Sequence, residues 1–235
     1  MRVNVILAHC REYGIGYAGK MAWRNGTDLQ LFSKLTTGRG DYKNAIIMGR
    51  KTWQSLPGKR PLASRDNLIL SRLPSNDGGD SGDSGGGGGG DGGGGGDGDN
   101  KSKSCDHSQS HVTWFSNIDA VLNHCANKQY DAVWIIGGQQ LYSAFLGAQA
   151  PYRSLVHTVH ITRIDADFKC DAFCSADVVS ETALQEWFVP SSRRTELETC
   201  VNLSADSDTH PTLMNVNVTF CTYVKKSDCS TEIAN

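Results

Sequence analysis

A single acidic residue near the N-terminus, Asp28, has neighbours that suit the binding of a basic ring. Phe32 follows one helical turn later, so the two side chains share a face of the helix predicted over Asp28–Leu35. Leu29 and Leu31 place apolar side chains beside them. A carboxylate at the edge of an apolar pocket can bind a cationic or amidine-like heterocycle. A second interpretation stays open at this point, because aspartate is also a common helix N-cap.

A cluster of basic and hydroxyl side chains follows the predicted strand Ala45–Met48. Arg50, Lys51 and Thr52 begin a short helix, and a helix N-terminus with adjacent cations favours phosphate. A solvated charge pair on a loop is the alternative. Farther along the chain, Arg65 leads into another predicted strand.

Two consecutive glycines, Gly137-Gly138, join a predicted strand to a predicted helix. The strand is Ala132–Ile136 and the helix is Gln139–Leu146. Such a tight connection lets backbone N–H groups face a pyrophosphate. Tyr142 lies one turn into the helix and is expected to point back toward the same place. Gly14-Ile15-Gly16, after the first strand, is a weaker indication of a loop close to a ligand.

The segments that must position these residues alternate between strands and helices. The predicted strands are Val3–Ala8, Ala45–Met48, Asn67–Ser71, Val112–Phe115, Ala132–Ile136, Leu155–Ile164 and Val216–Val224. The predicted helices are Asp28–Leu35, Thr52–Leu56, Ile118–Ala126 and Gln139–Leu146. Continuous apolar runs such as Val133–Ile136 are typical of parallel strands buried on both faces. Trp187–Val189 with Val216–Val224 predicts a terminal antiparallel hairpin. We expect one α/β domain with a central, mostly parallel eight-stranded sheet, flanking helices and a C-terminal antiparallel hairpin.

The composition of the 235-residue chain excludes several classes of protein. A net charge of -2 leaves no basic surplus to neutralise nucleic-acid phosphates. No apolar stretch approaches the ~20 residues of a membrane span. The eight cysteines include no Cys-x-x-Cys, and we expect no metal site. The first apolar run is too short for a signal peptide, so reduced thiols and a cytoplasmic location are expected.

A polar segment interrupts this pattern between Asp77 and Asp99, where nearly every residue is Gly, Asp or Ser. It has no apolar surface to bury and a high entropic cost of ordering. We therefore predict a domain over residues 1–226, interrupted at about 75–110 by a disordered insert, and a flexible tail at 227–235.

Five motifs occur in the order seen in dihydrofolate reductases. They are Gly-Ile-Gly followed by Trp-x4-Asp-x3-Phe, Met-Gly-Arg-Lys-Thr-Trp, Arg-Pro-Leu-x2-Arg-x-Asn-Leu-Ile-Leu-Ser-Arg, Trp-Ile-Ile-Gly-Gly-x3-Tyr and Ile-Thr-Arg-Ile. The chain resembles the eukaryotic form of this family, nearest to fungal and animal versions. The resemblance extends from Val3 to about Asp171 and returns weakly at Phe220–Val224. It implies reduction of 7,8-dihydrofolate to 5,6,7,8-tetrahydrofolate by hydride transfer from NADPH, in support of one-carbon metabolism. It also implies a monomer, unless the chain is part of a larger bifunctional protein.

The resemblance also implies roles for individual residues. Asp28 would bind the amino group and ring nitrogen of the pterin, with Thr162 behind it through water, and Arg65 would bind the α-carboxylate of the glutamate tail. Ala8 and the loop Gly14–Lys20 would cover the nicotinamide. The implied catalytic residues are Asp28, Trp23, Tyr142 and Thr162. The implied substrate-binding residues are Ile6, Asp28, Leu29, Phe32, Ser55, Leu62, Arg65, Ile136 and Thr162. The implied cofactor-binding residues are Ala8, Gly14, Ile15, Gly16, Gly19, Lys20, Gly49, Arg50, Lys51, Thr52, Ser71, Arg72, Gly137, Gly138, Gln139, Gln140, Leu141 and Tyr142. Family members carry a cis peptide between the paired glycines.

The chain departs from the family pattern at several positions. Ala22 stands where proline usually precedes the tryptophan, Gly26-Thr27 replaces a more rigid pair, and Ser64 stands where glycine often precedes the arginine. Residues 172–175 replace the commoner Thr-Phe-Phe-Pro. We expect these changes to affect loop rigidity and turnover, not the reaction. Residues 175–215 do not align usefully with the family.

Three alternatives remain open from the sequence. A pyrimidine reductase of riboflavin synthesis would lack the Trp-x4-Asp motif and Arg65. A degenerate nucleotide- or folate-binding protein would have lost Asp28 or the glycine pair, and both are present. The chain could also be the reductase half of a bifunctional polypeptide with thymidylate synthase.

Overall fold

The computed structural model describes residues 1–38, 42–72, 111–204 and 212–226. These residues form eleven strands and six α-helices. The strands are β1 Val3–His9, β2 Gly14–Gly16, β3 Trp23–Asn25, β4 Asn44–Gly49, β5 Arg65–Leu70, β6 Val112–Phe115, β7 Val133–Ile135, β8 Val156–Ile164, β9 Ala172–Phe173, β10 Phe188–Asn202 and β11 Thr212–Lys225. The helices are α1 Gly26–Thr37, α2 Arg50–Ser55, α3 Ile118–Ala126, α4 Gln139–Leu146, α5 Ala176–Val179 and α6 Glu181–Gln185.

Nine of these strands make one mixed sheet with the order β3-β10-β11-β8-β1-β7-β4-β5-β6. The pairings from β8 to β6 are parallel, whereas β10 and β11 form a long antiparallel hairpin that pairs with β8. The expected α/β domain with a C-terminal hairpin is therefore confirmed. The expected number of eight strands is one too low, because the three-residue β3 adds to the edge of β10. β2 and β9 form a separate two-stranded sheet.

The central strands are buried on both faces, as their continuous apolar runs predict. Along β1, Val5 and Leu7 face the core beneath α3 and α4. Ile6 faces the opposite core, which includes residues of β4 and β7 and packs against α1 and α2. This alternation follows the two-residue period of a strand. The sheet thus separates a structural core from the face that carries Asp28.

The connection between β5 and β6 joins parallel neighbours, so the chain must return from one end of the sheet to the other. The predicted insert at 75–110 belongs to this connection and, like the predicted tail at 227–235, lies outside the described residues. Within the described ranges, no helix is both long and apolar enough to cross a bilayer.

Candidate active site

The first turn of α1 presents Asp28 without using its carboxylate as a cap. Asn25 occupies the N-cap position, and its side-chain oxygen accepts a hydrogen bond from the backbone N–H of Asp28 at 2.7 Å. The capping interpretation of Asp28 is therefore wrong, since Asn25 performs that task. The signal for this was available in the sequence, because a cap accepts from the N–H three residues later and Asn25 precedes Asp28 by three.

The surroundings of Asp28 favour the neutral form of its carboxyl group. Burial raises the pKa of Asp28 above its usual range, and hydrogen bonding with the Thr162 hydroxyl acts more weakly in the opposite direction. Thr162 is buried on β8 and lies opposite Ala8 of β1 in the sheet register. No cation contributes to the shift. The carboxylate is therefore held by a neutral hydroxyl and can accept hydrogen bonds from a ligand.

An apolar cluster continues from Asp28 along the same face of the sheet. It contains Ile6 of β1 and Ile136 after β7, with Phe32 and Leu62 packed against it. The fold thus brings together four of the residues predicted to contact the substrate rings. Leu29, predicted with them, remains 42 % exposed.

A buried guanidinium lies beyond this cluster. Arg65 is 6 % exposed, donates from Nε to the carbonyl oxygen of Ala63 at 2.9 Å and donates from Nη1 to the hydroxyl of Thr36. Its guanidinium carbon lies 5.9 Å from the centre of the Phe32 ring. Burial lowers the pKa of Arg65, and no acidic group offsets that effect. Arg65 therefore keeps a positive charge that no carboxylate of the described ranges neutralises.

Two helix N-termini meet on the carboxyl side of β4 and β7. The backbone N–H of Gly49 donates to the carbonyl oxygen of Gly137 at 2.7 Å, which ties the end of β4 to the glycine pair. α2 begins after Gly49 and α4 begins after Gly138, and neither N-cap has a side chain to bind the first N–H groups. These N–H groups can therefore face an anion. Predicted residues at the two N-termini are Arg50, Lys51, Thr52, Gln139, Gln140 and Leu141.

The glycine pair packs directly against Tyr142. The Gly137–Gly138 peptide is cis, and Gly137 has a φ of 100°. A Cβ atom on Gly137 would lie 2.6 Å from the Tyr142 hydroxyl oxygen, so a side chain has no space there. That hydroxyl donates to the carbonyl oxygen of Ile6 at 3.1 Å. Burial raises the pKa of Tyr142 well above its usual range, so the hydroxyl stays protonated.

The loop expected to cover a nicotinamide is braced by β9. Gly14 pairs with Phe173 and Gly16 with Ala172, and the Asp171 carboxylate accepts from the N–H of Ala18 at 2.9 Å. The remaining residues predicted in or near this loop are Ala8, Ile15, Gly19 and Lys20, and Gly19 has a φ of 74°.

Other predicted residues lie at the margins of these features. Trp23 is 1 % exposed, and its Nε1 has no hydrogen-bond partner within the described ranges. The hydroxyl of Ser55 donates to the carbonyl of Thr52 within α2. Ser71 and the exposed Arg72 follow the end of β5. Thr36, which holds Arg65, is a positioning residue that no sequence motif indicates.

Comparison with known proteins decides the family. A family model described as dihydrofolate reductase matches residues 2–81 and 101–206. The chain belongs to the dihydrofolate reductase family. The interruption of the match at 82–100 falls within the predicted insert at about 75–110.

Curated dihydrofolate reductases support this assignment. A dihydrofolate reductase of Aedes albopictus is 31 % identical over 175 residues, which cover 73 % of this chain and 78 % of the relative. The bifunctional dihydrofolate reductase-thymidylate synthase 2 of Arabidopsis thaliana is 32 % identical over 191 residues, or 78 % of this chain. The chain spans 28 % of the length of that relative and 30 % of its Glycine max counterpart.

A solved dihydrofolate reductase supports the fold. The structure from Enterococcus faecalis, complexed with NADP(H) and RAB-propyl, matches with a TM-score of 0.60, and the match covers 96 % of each chain. At 16 % identity this likeness concerns the dihydrofolate reductase fold alone.

Proposed function

We propose that this protein reduces 7,8-dihydrofolate to 5,6,7,8-tetrahydrofolate with hydride from NADPH. One observation carries the proposal: among the described residues, a carboxylate without a cationic partner and a guanidinium without an anionic partner stand at two ends of one apolar cluster. Asp28 and Thr36, the residue that holds Arg65, are eight positions apart on α1. That spacing corresponds to about 12 Å along the helix. A ligand with a basic heterocycle at one end, a flat apolar centre and a carboxylate at the other fits this arrangement.

Asp28 would orient the pterin. Its ionised carboxylate accepts hydrogen bonds from the exocyclic amino group and an adjacent ring N–H, and Thr162 fixes the carboxylate from behind. Ile6, Phe32 and Ile136 would exclude water from the faces of the ring. No second acidic group belongs to the predicted catalytic set, so the proton for the ring nitrogen comes from solvent.

The two helix N-termini would hold the dinucleotide. Bound NADPH supplies the hydride. Open backbone N–H groups after Gly49 and Gly138 support this assignment, because they suit pyrophosphate oxygens. Arg50 and Lys51 add positive charge, which favours the extra phosphate of NADPH over NADH. Tyr142 would keep the glycine pair in position through its bond to the Ile6 carbonyl.

The test is a spectrophotometric assay of the purified chain with NADPH and dihydrofolate. The proposal predicts a fall in NADPH absorbance that requires dihydrofolate and ends at one mole of NADPH per mole of substrate. Arg60→Ala, on an exposed loop residue, serves as a control that keeps the activity. If the chain binds NADPH and folate but consumes neither, it is a binding protein and the proposal is wrong.

We also propose that the protein is cytoplasmic and that it is a monomer unless it is part of a larger bifunctional protein. Six cysteines of the described ranges carry free thiols, which suits a reducing compartment. Subcellular fractionation and light scattering test the two statements separately. Recovery in a secretory fraction, or a mass near twice 25.4 kDa, would contradict them.

A further inference from the structure

Two thiols that the proposed reaction does not use lie in contact beneath the loop after β1. The Sγ atoms of Cys10 and Cys170 are 3.7 Å apart, although the two residues are separated by 160 positions in the chain. Cys10 is 2 % exposed, whereas Cys170 is partly exposed. Solvent therefore reaches the pair from the side of Cys170.

Gly14 makes the contact between the two thiols possible. A Cβ atom on Gly14 would lie 2.6 Å from the Sγ of Cys170 and 2.8 Å from that of Cys10. Because Gly14 has no side chain, the two sulfurs can occupy the space that its Cβ atom would take. The backbone N–H of Cys10 donates to the carbonyl oxygen of Gly14 at 2.9 Å, which holds the turn closed over them.

We propose that Cys10 and Cys170 are a reversible disulfide site, oxidised by low-molecular-weight disulfides of the glutathione type. A disulfide bond is about 2.05 Å long, so closure requires the sulfurs to approach by less than about 2 Å. Burial and the adjacent Cys10 thiol raise the pKa of Cys170 to about 12, so the thiolate is scarce at neutral pH and the exchange should be slow there and faster in alkaline buffer.

The oxidation proceeds in two exchange steps. The Cys170 thiolate attacks one sulfur of the small disulfide, which forms a mixed disulfide and releases one small thiol that carries away the proton of Cys170. The Cys10 thiolate then attacks the Sγ of Cys170 and releases the second small thiol, which takes the proton of Cys10. Two protein thiols are oxidised to one disulfide, and one small disulfide is reduced to two thiols.

The link would act on the loop Gly14–Lys20, which begins with β2. Gly16 accepts a backbone hydrogen bond from Asp171 at 3.0 Å, next to Cys170 in the chain, and Gly14 lies against both sulfurs. A covalent bond at this point ties the end of β1 to the segment that braces the loop. Since this loop is assigned to the nicotinamide, an effect on turnover rests on the proposed function.

The test uses the full-length reduced protein incubated with oxidised glutathione, followed by alkylation and peptide mapping by mass spectrometry. We expect a peptide pair linked through Cys10 and Cys170, reversed by dithiothreitol. Cys10→Ser should accumulate the mixed disulfide on Cys170, and Cys170→Ser should leave Cys10 free. Cys125→Ala, a buried cysteine of α3, is the matched control and should form the link as the parent does.

Each outcome decides a separate statement. The disulfide site is contradicted if Cys10 stays reduced while other cysteines are oxidised. It is also contradicted if Cys10 forms a disulfide with a cysteine other than Cys170. Complete formation of the disulfide should lower turnover at least threefold. A decrease in turnover of less than 1.5-fold would contradict the proposed effect of the disulfide on the loop. Absence of turnover in the fully reduced protein would instead contradict the proposed function and leave the mapped link intact.

Discussion

The side-chain oxygen of Asn25 accepts a hydrogen bond from the backbone N–H of Asp28 at 2.7 Å. Two tasks that a single aspartate could perform are thereby divided between two residues. Asn25 satisfies a free donor at the start of α1, and the carboxylate of Asp28 remains available to a ligand. Substitutions at the two positions should therefore have separable effects.

Asp28→Asn should lower the hydride-transfer rate by about 10²–10⁴-fold, because the charge that orients and polarises the ring during protonation by solvent is lost. The amide keeps the size of the side chain but loses the charge that aligns the ring. Pre-steady-state measurement of NADPH oxidation checks this, and the loss should shrink at low pH, where solvent supplies the proton more readily. A variant with more than half of the parent turnover at neutral pH would show that the carboxylate has no part in the reaction.

The same substitution should raise the melting temperature at neutral pH. Burial raises the pKa of Asp28 above the unfolded value of about 3.9, so folding favours the protonated form. The stability from this group is present below about pH 4 and is lost as the pH rises through the folded pKa. Asn does not ionise, so the gain should disappear at acid pH. Asn25→Ala, the contrasting variant, should lose about 0.5–2 kcal/mol of stability at either pH. A lower melting temperature of Asp28→Asn at neutral pH would contradict this account.

Arg65→Ala should weaken dihydrofolate binding strongly, because truncation of a buried charge that binds a carboxylate typically costs about 2–5 kcal/mol. A pterin without a glutamyl tail should be reduced as well by the variant as by the parent. The ratio of the two kcat/KM values is the measurement. Arg60→Ala, on an exposed residue of the same segment, is the control. Equal losses for both substrates would assign Arg65 a structural role through Thr36 and Ala63.

Ser64→Gly should stabilise the protein. Ser64 has a φ of 61°, a left-handed conformation that costs a residue with a side chain roughly 1–2 kcal/mol. Chemical denaturation should show a gain of about 1 kcal/mol. Ser175→Gly is a suitable comparison, because Ser175 has a φ of −82° and its side chain makes no cap bond. An equal gain at both positions would attribute the effect to something other than backbone conformation.

Gly137→Ala should abolish NADPH binding or folding. Its φ of 100° disfavours a side chain, and the new methyl group would lie 2.6–2.8 Å from three atoms of Tyr142. Combination with Tyr142→Phe should give little rescue, because two of the three atoms belong to the ring. Gly26→Ala, where a methyl group meets no atom within 4 Å, should fold and bind normally. Normal NADPH affinity in Gly137→Ala, measured by fluorescence titration, would disprove the close packing.

Deletion of residues 77–100 should leave activity and melting temperature nearly unchanged. Residues 71–76 and 101–111 would remain to connect the parallel strands β5 and β6, and such crossovers need about a dozen residues or more. Loop-closure entropy changes by only about 0.6 kcal/mol per doubling of loop length. Deletion of residues 73–110 leaves too short a connection and should prevent β6 from pairing. A large loss of activity with the shorter deletion would indicate that the removed segment contacts a ligand.

Sequence patterns predict the strands and helices that have strong apolar periodicity, and they also locate the short connections between those elements. The continuous run at Val133–Ile136 and the helix after Gly138 were both located correctly, because burial on a parallel sheet leaves a clear pattern. The short strand β3 was not predicted. Three residues carry no periodicity, and their partner on β10 lies in the segment after Ser175 that has no recognisable motif.

Contacts between segments that are distant in the chain could not be predicted from the sequence. The three-residue spacing of Asn25 and Asp28 fits an N-cap. However, the start of this helix has several polar residues that could be the N-cap, and local sequence rules do not distinguish between them. Thr36 carries no motif, and its role depends on where Arg65 enters the sheet. The contact between Cys10 and Cys170 depends on the path of β8 and the loop after it. These relationships arise from topology, which residue types alone do not specify.

The position of β1 in the sheet has a consequence for synthesis. Its two neighbours, β7 and β8, begin at Val133 and Val156, so the strand has no partner until the second half of the chain exists. At about 5–20 residues per second, a ribosome needs roughly 7–27 s to reach Val133. During that interval the apolar segment Val3–His9 is open to chaperones and to aggregation. Substitutions that delay translation before β7 should therefore lower the yield of native protein without changing the stability of the molecules that do fold.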